Sequence, residues 1–348
     1  MDRLPITVRR LPAHDPAAAG RWDAFVQACP DASFFHLSAW QDLIESVFRH
    51  RCHFLYAERA GEIIAVLPLA EVRSRLFGHA LTSLPFCVYG GIAGAAEAAS
   101  LLEAEADRLA RGLGVQHLEY RNRVPRHQDW PQQTLYVTFR KPILPEVEAN
   151  MLAIPRKQRA MVRKGIGNGL VSRIDADVDT FFALYADNVR RHGTPALPKR
   201  FFQRLQAVFG EACEVLTVVD TAGRPLSSVL SFYFRDEVLP YYAGDDTAAR
   251  EFAANDFKYW ELMRRACERG CRVFDYGRSK VGTGPYSFKK NWGFEPQPLS
   301  YEYRLYKRDT VPQNNPMNPK YRAFIALWKR LPLPVANALG PHIVRNLG

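Results

Sequence analysis

FLYAERAGEIIAVLPL at 54–69 and VLTVVDTAGRPLSSVLSF at 215–232 have the same pattern. Each is a pair of apolar runs broken by a short turn containing glycine, which is a hairpin signal. The likeness continues downstream. Gly114 precedes His117-Leu118-Glu119-Tyr120, and Gly270 precedes Val273-Phe274-Asp275-Tyr276, at a constant offset of 156 residues. A repeat that long is a duplicated domain rather than a solenoid unit.

Working outward, the first half reads as a strand at 6–10, helices at 17–28 and 38–48, and strands at 53–59 and 62–72. A helix at 95–111, rich in Ala, Leu and Glu, leads to strands at 116–121 and 134–140. The second half repeats the order. A strand at 170–174 is followed by helices at 177–191 and 198–209, and by strands at 213–220, 225–234 and 237–243. A helix at 255–269 and strands at 272–276 and 299–306 complete it. Strand, two helices, antiparallel meander, helix, strand is the order of the GNAT acyltransferase fold. The expected architecture is α/β (α+β), with two tandem GNAT-like domains at 1–148 and 149–306 and a basic amphipathic tail at 307–348.

The chain has 348 residues, 47% hydrophobic and 24% charged, which excludes disordered, collagen-like and disulfide-dense classes. No apolar run approaches the roughly 18 residues that span a bilayer. The start, MDRLPITVRR, has no apolar stretch behind its charges and does not read as a secretory signal. Six cysteines without a C-x-x-C pair fit a reducing cytosol, so a cytoplasmic location is expected. The net charge of +11 is concentrated in two places. Residues 151–173 hold six cations and no acid, and residues 307–348 hold seven cations against Asp309. Two basic segments on a near-neutral body point to localised anionic partners.

The richest stretch for chemistry is VFDYGRSKVGTGPYSFKKNWGFEPQPLSYEY at 273–303. A strand ends at Tyr276, and a loop punctuated by Gly277, Gly282 and Gly284 carries Arg278, Ser279 and Lys280. Tyr286, Lys289 and Trp292 follow. Loops at strand ends commonly carry function, and cations beside aromatics suit an anionic or π-bearing ligand. Phe288 and Trp292 also have the i, i+4 spacing of a packing pair. Arg156, Arg159 and Arg163 share one helix face, suited to a diphosphate or a nucleic-acid backbone, or else a solvated face. Tyr242 and Asp245 stand at a strand end, where a carboxylate can take a proton from an attacking amine or cap a turn. No metal-ligand spacing is present: His50 and His53 lack a third ligand, and Cys267 and Cys271 stand alone. In the tail, Tyr321, Phe324, Ile325 and Trp328 fall at helical spacing between cations. That pattern reads either as binding to an anionic membrane surface or as a helix docked on the body.

The 273–303 segment resembles the FemAB family of tandem-GNAT transferases. The resemblance rests on Asp275-Tyr276-Gly277-Arg278-Ser279, Phe288-Lys289-Lys290-Asn291-Trp292-Gly293 and Tyr301-Glu302-Tyr303. Ile154-Pro155-Arg156-Lys157-Gln158-Arg159 resembles the family's opening of the second domain, and Phe257-Lys258-Tyr259-Trp260 its helix before the signature strand. The likeness spans about residues 20–306 and is closest to the subgroup found with exosortase/PEP-CTERM and exopolysaccharide systems. It implies acyl or aminoacyl transfer to an amine of a cell-envelope precursor, peptidoglycan or exopolysaccharide. The donor would be aminoacyl-tRNA or acyl-CoA, used as a substrate without a metal or redox cofactor. It implies that Lys289 sits at the acyl centre and stabilises the oxyanion. Arg278, Ser279, Lys280, Tyr286, Trp292 and the three α-helical arginines would hold substrate, and Tyr242 or Asp245 would manage the proton. The implied acceptor includes a lipid-linked one, at the inner face of the membrane.

The sequence departs from the pattern in two places. No glycine follows Gly244 through Asn255, and Asp245 and Asp246 stand where a coenzyme A pyrophosphate would lie, which argues against coenzyme A in the second domain. The helical insertion that helps some relatives engage tRNA has no room here. Two other readings stay open: a non-catalytic sugar- or peptide-binding component of an envelope-polysaccharide system, and an acyl-CoA-dependent N-acyltransferase.

Overall fold

The computed structural model describes residues 4–74, 78–312 and 319–346, with backbone only for 319–321. From the N-terminus run β1 (Thr7–Arg10), α1 (Pro16–Ala28), α2 (Ala39–Leu43), β2 (Cys52–Arg59), β3 (Glu62–Ser74), β4 (Gly78–Ser83) and β5 (Ala93–Gly94). Then come α3 (Ala96–Leu113), β6 (His117–Asn122), β7 (Gln132–Gln133), β8 (Tyr136–Pro142), α4 (Val147–Ala153) and α5 (Arg156–Gly167). The second half contains β9 (Val171–Asp175), α6 (Asp179–His192), α7 (Lys199–Phe209), β10 (Cys213–Val219), β11 (Pro225–Phe234), β12 (Glu237–Asp245) and α8 (Ala254–Glu268). It ends with β13 (Val273–Lys280), α9 (Gly284–Asn291), β14 (Pro296–Pro298), β15 (Ser300–Leu305), α10 (Pro319–Arg330) and α11 (Leu333–Val344).

The described residues form two compact units, 4–135 with 298–312 and Asn346, and 136–297 with 319–345. Their sheets have the same plan. In the first the order is β1-β2-β3-β4-β6-β15-β7, with β5 on β3; in the second it is β9-β10-β11-β12-β13-β8-β14. Each opens with an antiparallel meander and holds a parallel pair, β4 with β6 and β12 with β13, joined through α3 or α8. The duplication is therefore visible strand by strand. Gly114 and Gly270 both follow the connecting helix in the left-handed region, at φ 67° and 76°.

The domain boundaries differ from the sequence reading at 148 and 306. β8 leaves the first half of the chain to pair with β13, and β15 leaves the second half to pair with β6. Hydrophobic pattern marks a strand but carries no label for its partner. The tail also differs: residues 319–345 belong to the second unit rather than forming a separate segment. Pro316 lies outside the described residues.

Local chemistry accounts for the elements. Ala60 and Gly61, both at positive φ (53° and 85°), form the two-residue turn between β2 and β3, the geometry that matches strand twist. α3 buries Ala98, Leu102, Ala106 and Ala110, an i, i+4 stripe, in the core of the first unit. α8 buries Phe257, Trp260, Leu262, Met263 and Ala266 in the core of the second, with Phe274, Trp292 and Phe294. Gly165 lets α5 approach α8, since a Cβ there would lie 2.8 Å from Phe257.

Candidate active site

In the first unit the parallel strands β4 and β6 stay paired from Ala80–His117 to Ser83–Tyr120. In the second, β12 and β13 pair only at Glu237–Val273 and Val238–Phe274, although β12 runs on to Asp245 and β13 to Lys280. Each strand is bulged where the two part. β12 carries Tyr241 as an extra residue between the partners of Leu230 and Ser231. β13 carries an extra residue between Asp275 and Arg278, opposite Arg140 and Thr138 of β8. Bulges re-aim side chains and are common beside active sites.

The bulge in β13 is built by the motif. Gly277 sits at φ 62°, and its N–H donates to the Asp275 carboxylate at 2.8 Å. Thr138 donates to the same carboxylate oxygen at 3.3 Å, and Arg140 Nε stands 3.6 Å from the other. From α9, the Lys289 ammonium donates to the carbonyls of Tyr276, Gly277 and Arg278 at 2.7, 3.1 and 3.3 Å. All three of its protons are thus committed to main chain. Lys289 is buried, and burial pulls its pKa from 10.5 to about 7, with Asp275 opposing and Arg278 assisting. Among the described residues, the buried Tyr276 hydroxyl and Ser279 Oγ have no hydrogen-bond partner. Both sit on this bulged strand.

Contrary to the loop reading, residues 277–280 continue β13. Alternation then sets Arg278 and Lys280 on one side, over the Tyr136 ring at 4.5 and 5.8 Å. Arg278 is exposed, and burial with help from Arg278 lowers Lys280 to about 8. This cationic, aromatic rim suits an anionic ligand. Tyr286 packs edge-on against Phe139 at 5.4 Å. Trp292 is fully buried, with its indole N–H on Asp256 at 2.9 Å. It is a core residue, not a substrate contact as read from the sequence, and its i, i+4 spacing with Phe288 already pointed there.

The other two catalytic candidates lie elsewhere. Tyr242 belongs to an aromatic cluster with Tyr185, Phe201 and Phe202, on the face of the sheet covered by α6 and α7. Lys289 reaches β13 from the opposite, α8-bearing face. Asp245 is tied to Lys258 at 2.9 Å and accepts a bond from Ser227. It anchors the end of β12 to α8, so it is not a free base. Sequence reading missed Lys258, a cation at helical spacing with no visible partner. Asp246, not Asp245, caps the turn that follows.

Arg156, Arg159 and Arg163 line the outer part of α5, whose inner side buries Val162 and Gly165. Arg159 donates to the Leu152 carbonyl at 3.1 Å, while Arg156 and Arg163 are exposed. Pro155, just before α5, approaches Gly293, where a Cβ would lie 3.2 Å from its ring. The basic helix thus opens beside the end of the Phe288–Gly293 motif. A cavity of about 630 Å³ lies at the start of β10, lined by Gln206, Glu214, Arg265 and Arg269. Both arginines pair with Glu214, well away from the motif. Among the described residues no group of acids, histidines or cysteines is arranged to hold a metal.

These features define a tandem GNAT-like protein whose open parallel pair lies in the second unit. Residues 153–290 match the acetyltransferase (GNAT) domain family. Over 136 residues the chain is 22% identical to the UDP-N-acetylmuramoylpentapeptide-lysine N(6)-alanyltransferase of Weissella viridescens, covering 38% of this chain and 40% of that enzyme. The match thus spans about two fifths of the curated relative's length. Among solved structures, FemX superposes with a TM-score of 0.65 at 13% identity, over 93% of this chain and all of that one. A tandem GNAT protein from the clavulanic acid biosynthesis pathway gives 0.52 at 14% identity, over 86% and 98%. At such identities these two structures speak for the fold alone.

Proposed function

We propose that this protein is an acyl- or aminoacyltransferase acting on an amine of a cell-envelope precursor, with its reaction centre where β12 and β13 part. The observation that carries this reading is the clamped bulge: Gly277, Asp275 and Lys289 hold β13 open beside a cationic rim, inside the segment that matches the GNAT family. In the reaction the acceptor amine attacks the acyl carbonyl. A C–N bond forms as the bond to the donor's oxygen or sulfur breaks, and the amine's proton passes to that leaving atom. Arg278 and Lys280 hold anionic parts of donor or acceptor, and the α5 arginines extend the positive field. Lys289 fixes the carbonyls that shape the site. Its ammonium meets the developing oxyanion by exchanging one carbonyl for it. The alanyltransferase relative supports a peptidoglycan-type precursor, and the sequence resemblance extends the proposal to exopolysaccharide systems of the exosortase/PEP-CTERM kind. A lipid-linked acceptor would place the protein at the inner face of the membrane.

The test is incubation with a UDP-muramoyl pentapeptide containing lysine, supplied either with alanyl-tRNA or with a panel of acyl-CoAs, and product mass as the readout. The full occupancy of Lys289's donors favours one second reading, a binding protein that holds the same ligand without chemistry. Saturable binding with no mass change under any donor would select it.

Each ligand carries its own expected result. Acetyl-CoA should show no saturable micromolar binding by calorimetry. The N–H groups of 246, 248, 249 and 251–253 already donate within or next to the loop, so the loop ahead of α8 offers few amides to a pyrophosphate. Micromolar binding lost on changing 246–253 would overturn this. For the anionic substrate, Arg278→Ala should raise KM about tenfold with kcat nearly unchanged, because the exposed guanidinium meets charge already present in the ground state. KM should also climb as pH rises through about 8, where Lys280 loses its proton, and Lys280→Arg should flatten that rise. A pH-independent KM in the parent protein would remove Lys280 from the binding rim.

A further inference from the structure

The sequence pattern of the tail offers Trp328 as an anchor for a membrane surface, and the structure uses it differently. Trp328 is 3% exposed and stacks on Phe324 at 5.4 Å. α10 and α11, joined by Leu331 and Pro332, both rest on the second unit. Arg190 of α6 donates to the carbonyls of Lys329 and Leu331 at 2.8 and 3.4 Å, fixing the end of α10. Gly193, at φ 82°, admits Ile325, which a Cβ would meet at 2.4 Å. Gly340 lets α11 lie against the backbone of Ala196, 3.0 Å from where its own Cβ would stand. The helices are docked, so the side turned to solvent is the informative one.

That side is apolar where a surface helix normally presents charge. On α10 it carries Phe324 and Leu327, and on α11 Val335 and Leu339, all exposed; Leu327 reaches 65%. Ala323 and Ala326 on α10 and Pro334 and Ala338 on α11 are exposed as well. Exposed Arg322, Lys329 and Arg330 flank this surface, and no acidic residue occurs anywhere from Thr310 to Gly348. We propose that the outward faces of α10 and α11 form an interfacial membrane-docking surface selective for anionic lipid. Apolar side chains enter the headgroup boundary while the cations meet lipid phosphates. A second copy of this chain is a poor occupant, because two such faces would bring cations against cations with no acid between them. This inference does not depend on the transferase reading.

The test uses the full chain, since the tail is part of the second unit's packing and its deletion would uncover α6. Sedimentation with vesicles of phosphatidylcholine and phosphatidylglycerol in equal parts is compared with pure phosphatidylcholine, at low and high salt. The parent protein should partition at least about tenfold more strongly onto the anionic vesicles and lose that preference at high salt. Leu327→Glu with Leu339→Glu alters only exposed positions and should keep the melting curve while lowering partition about tenfold or more. Arg322→Gln, Lys329→Gln and Arg330→Gln together should abolish the preference for anionic lipid. Absence of binding to anionic vesicles, or undiminished binding by the two-glutamate variant, overturns the proposal. So does a concentration-dependent dimer in sedimentation velocity that the two-glutamate variant dissolves, which would give the face to a second copy.

Discussion

Asp245→Ala should lower the unfolding free energy by about 3 kcal/mol, read from urea denaturation, rather than act first on turnover. The Lys258 side chain is 0% exposed, and its ammonium donates to Asp245 at 2.9 Å. Removing the carboxylate strands a buried cation on α8, among the most destabilising changes a single substitution makes. Lys258→Met added to Asp245→Ala should recover most of the loss, because the buried charge goes with its partner. The catalytic reading of Asp245 predicts the reverse pattern: unchanged stability, with kcat reduced by a factor on the order of 10² to 10⁴. A stable Asp245→Ala protein that is inactive would restore Asp245 as the base and leave the ion pair incidental.

The same position shows how far sequence reading reaches. The apolar run before Asp245 marks it as a strand end, but a carboxylate's availability depends on what lies across from it, and Lys258 is thirteen residues away on another element. The duplicated order of elements, the Ala60–Gly61 hairpin and the glycines at 114 and 270 were legible because periodicity and backbone freedom are local properties. The exchange of β8 and β15 was not, because a strand's own pattern is indifferent to which edge it joins. Gly277 misled for a physical reason. A glycine in a polar run ordinarily ends a strand, and here it bulges one, held by Asp275 on one side and Lys289 on the other. The tail stayed ambiguous for a related reason: amphipathic spacing identifies a helix with an apolar stripe, but a helix can carry apolar residues on its docked and solvent sides at once, as α10 does with Trp328 and Leu327.

Lys289→Met should reduce kcat by a factor on the order of 10² to 10³, the usual scale for losing a group that acts on the oxyanion. Because the three carbonyls at Tyr276, Gly277 and Arg278 lose their donor together, it should also lower the melting temperature. That double loss separates the geometry found here from a lysine free in the cleft, whose removal would leave stability intact. The pH dependence separates the roles further. In the native state Lys289 titrates at about 7, against 10.5 for the ordinary side chain. Between those values the unfolded chain binds more protons, so the Lys289 contribution to stability rises as pH climbs from about 7 towards 10 and is flat below. A reaction that needs the ammonium must instead fall as pH rises through about 7. The parent protein should therefore gain stability and lose turnover over the same interval, and Lys289→Met should show neither trend. Turnover that rises through this interval and depends on Lys289 would make the neutral amine a base. Full turnover in Lys289→Met would remove the residue from the chemistry, leaving it as the clamp of the β13 bulge alone.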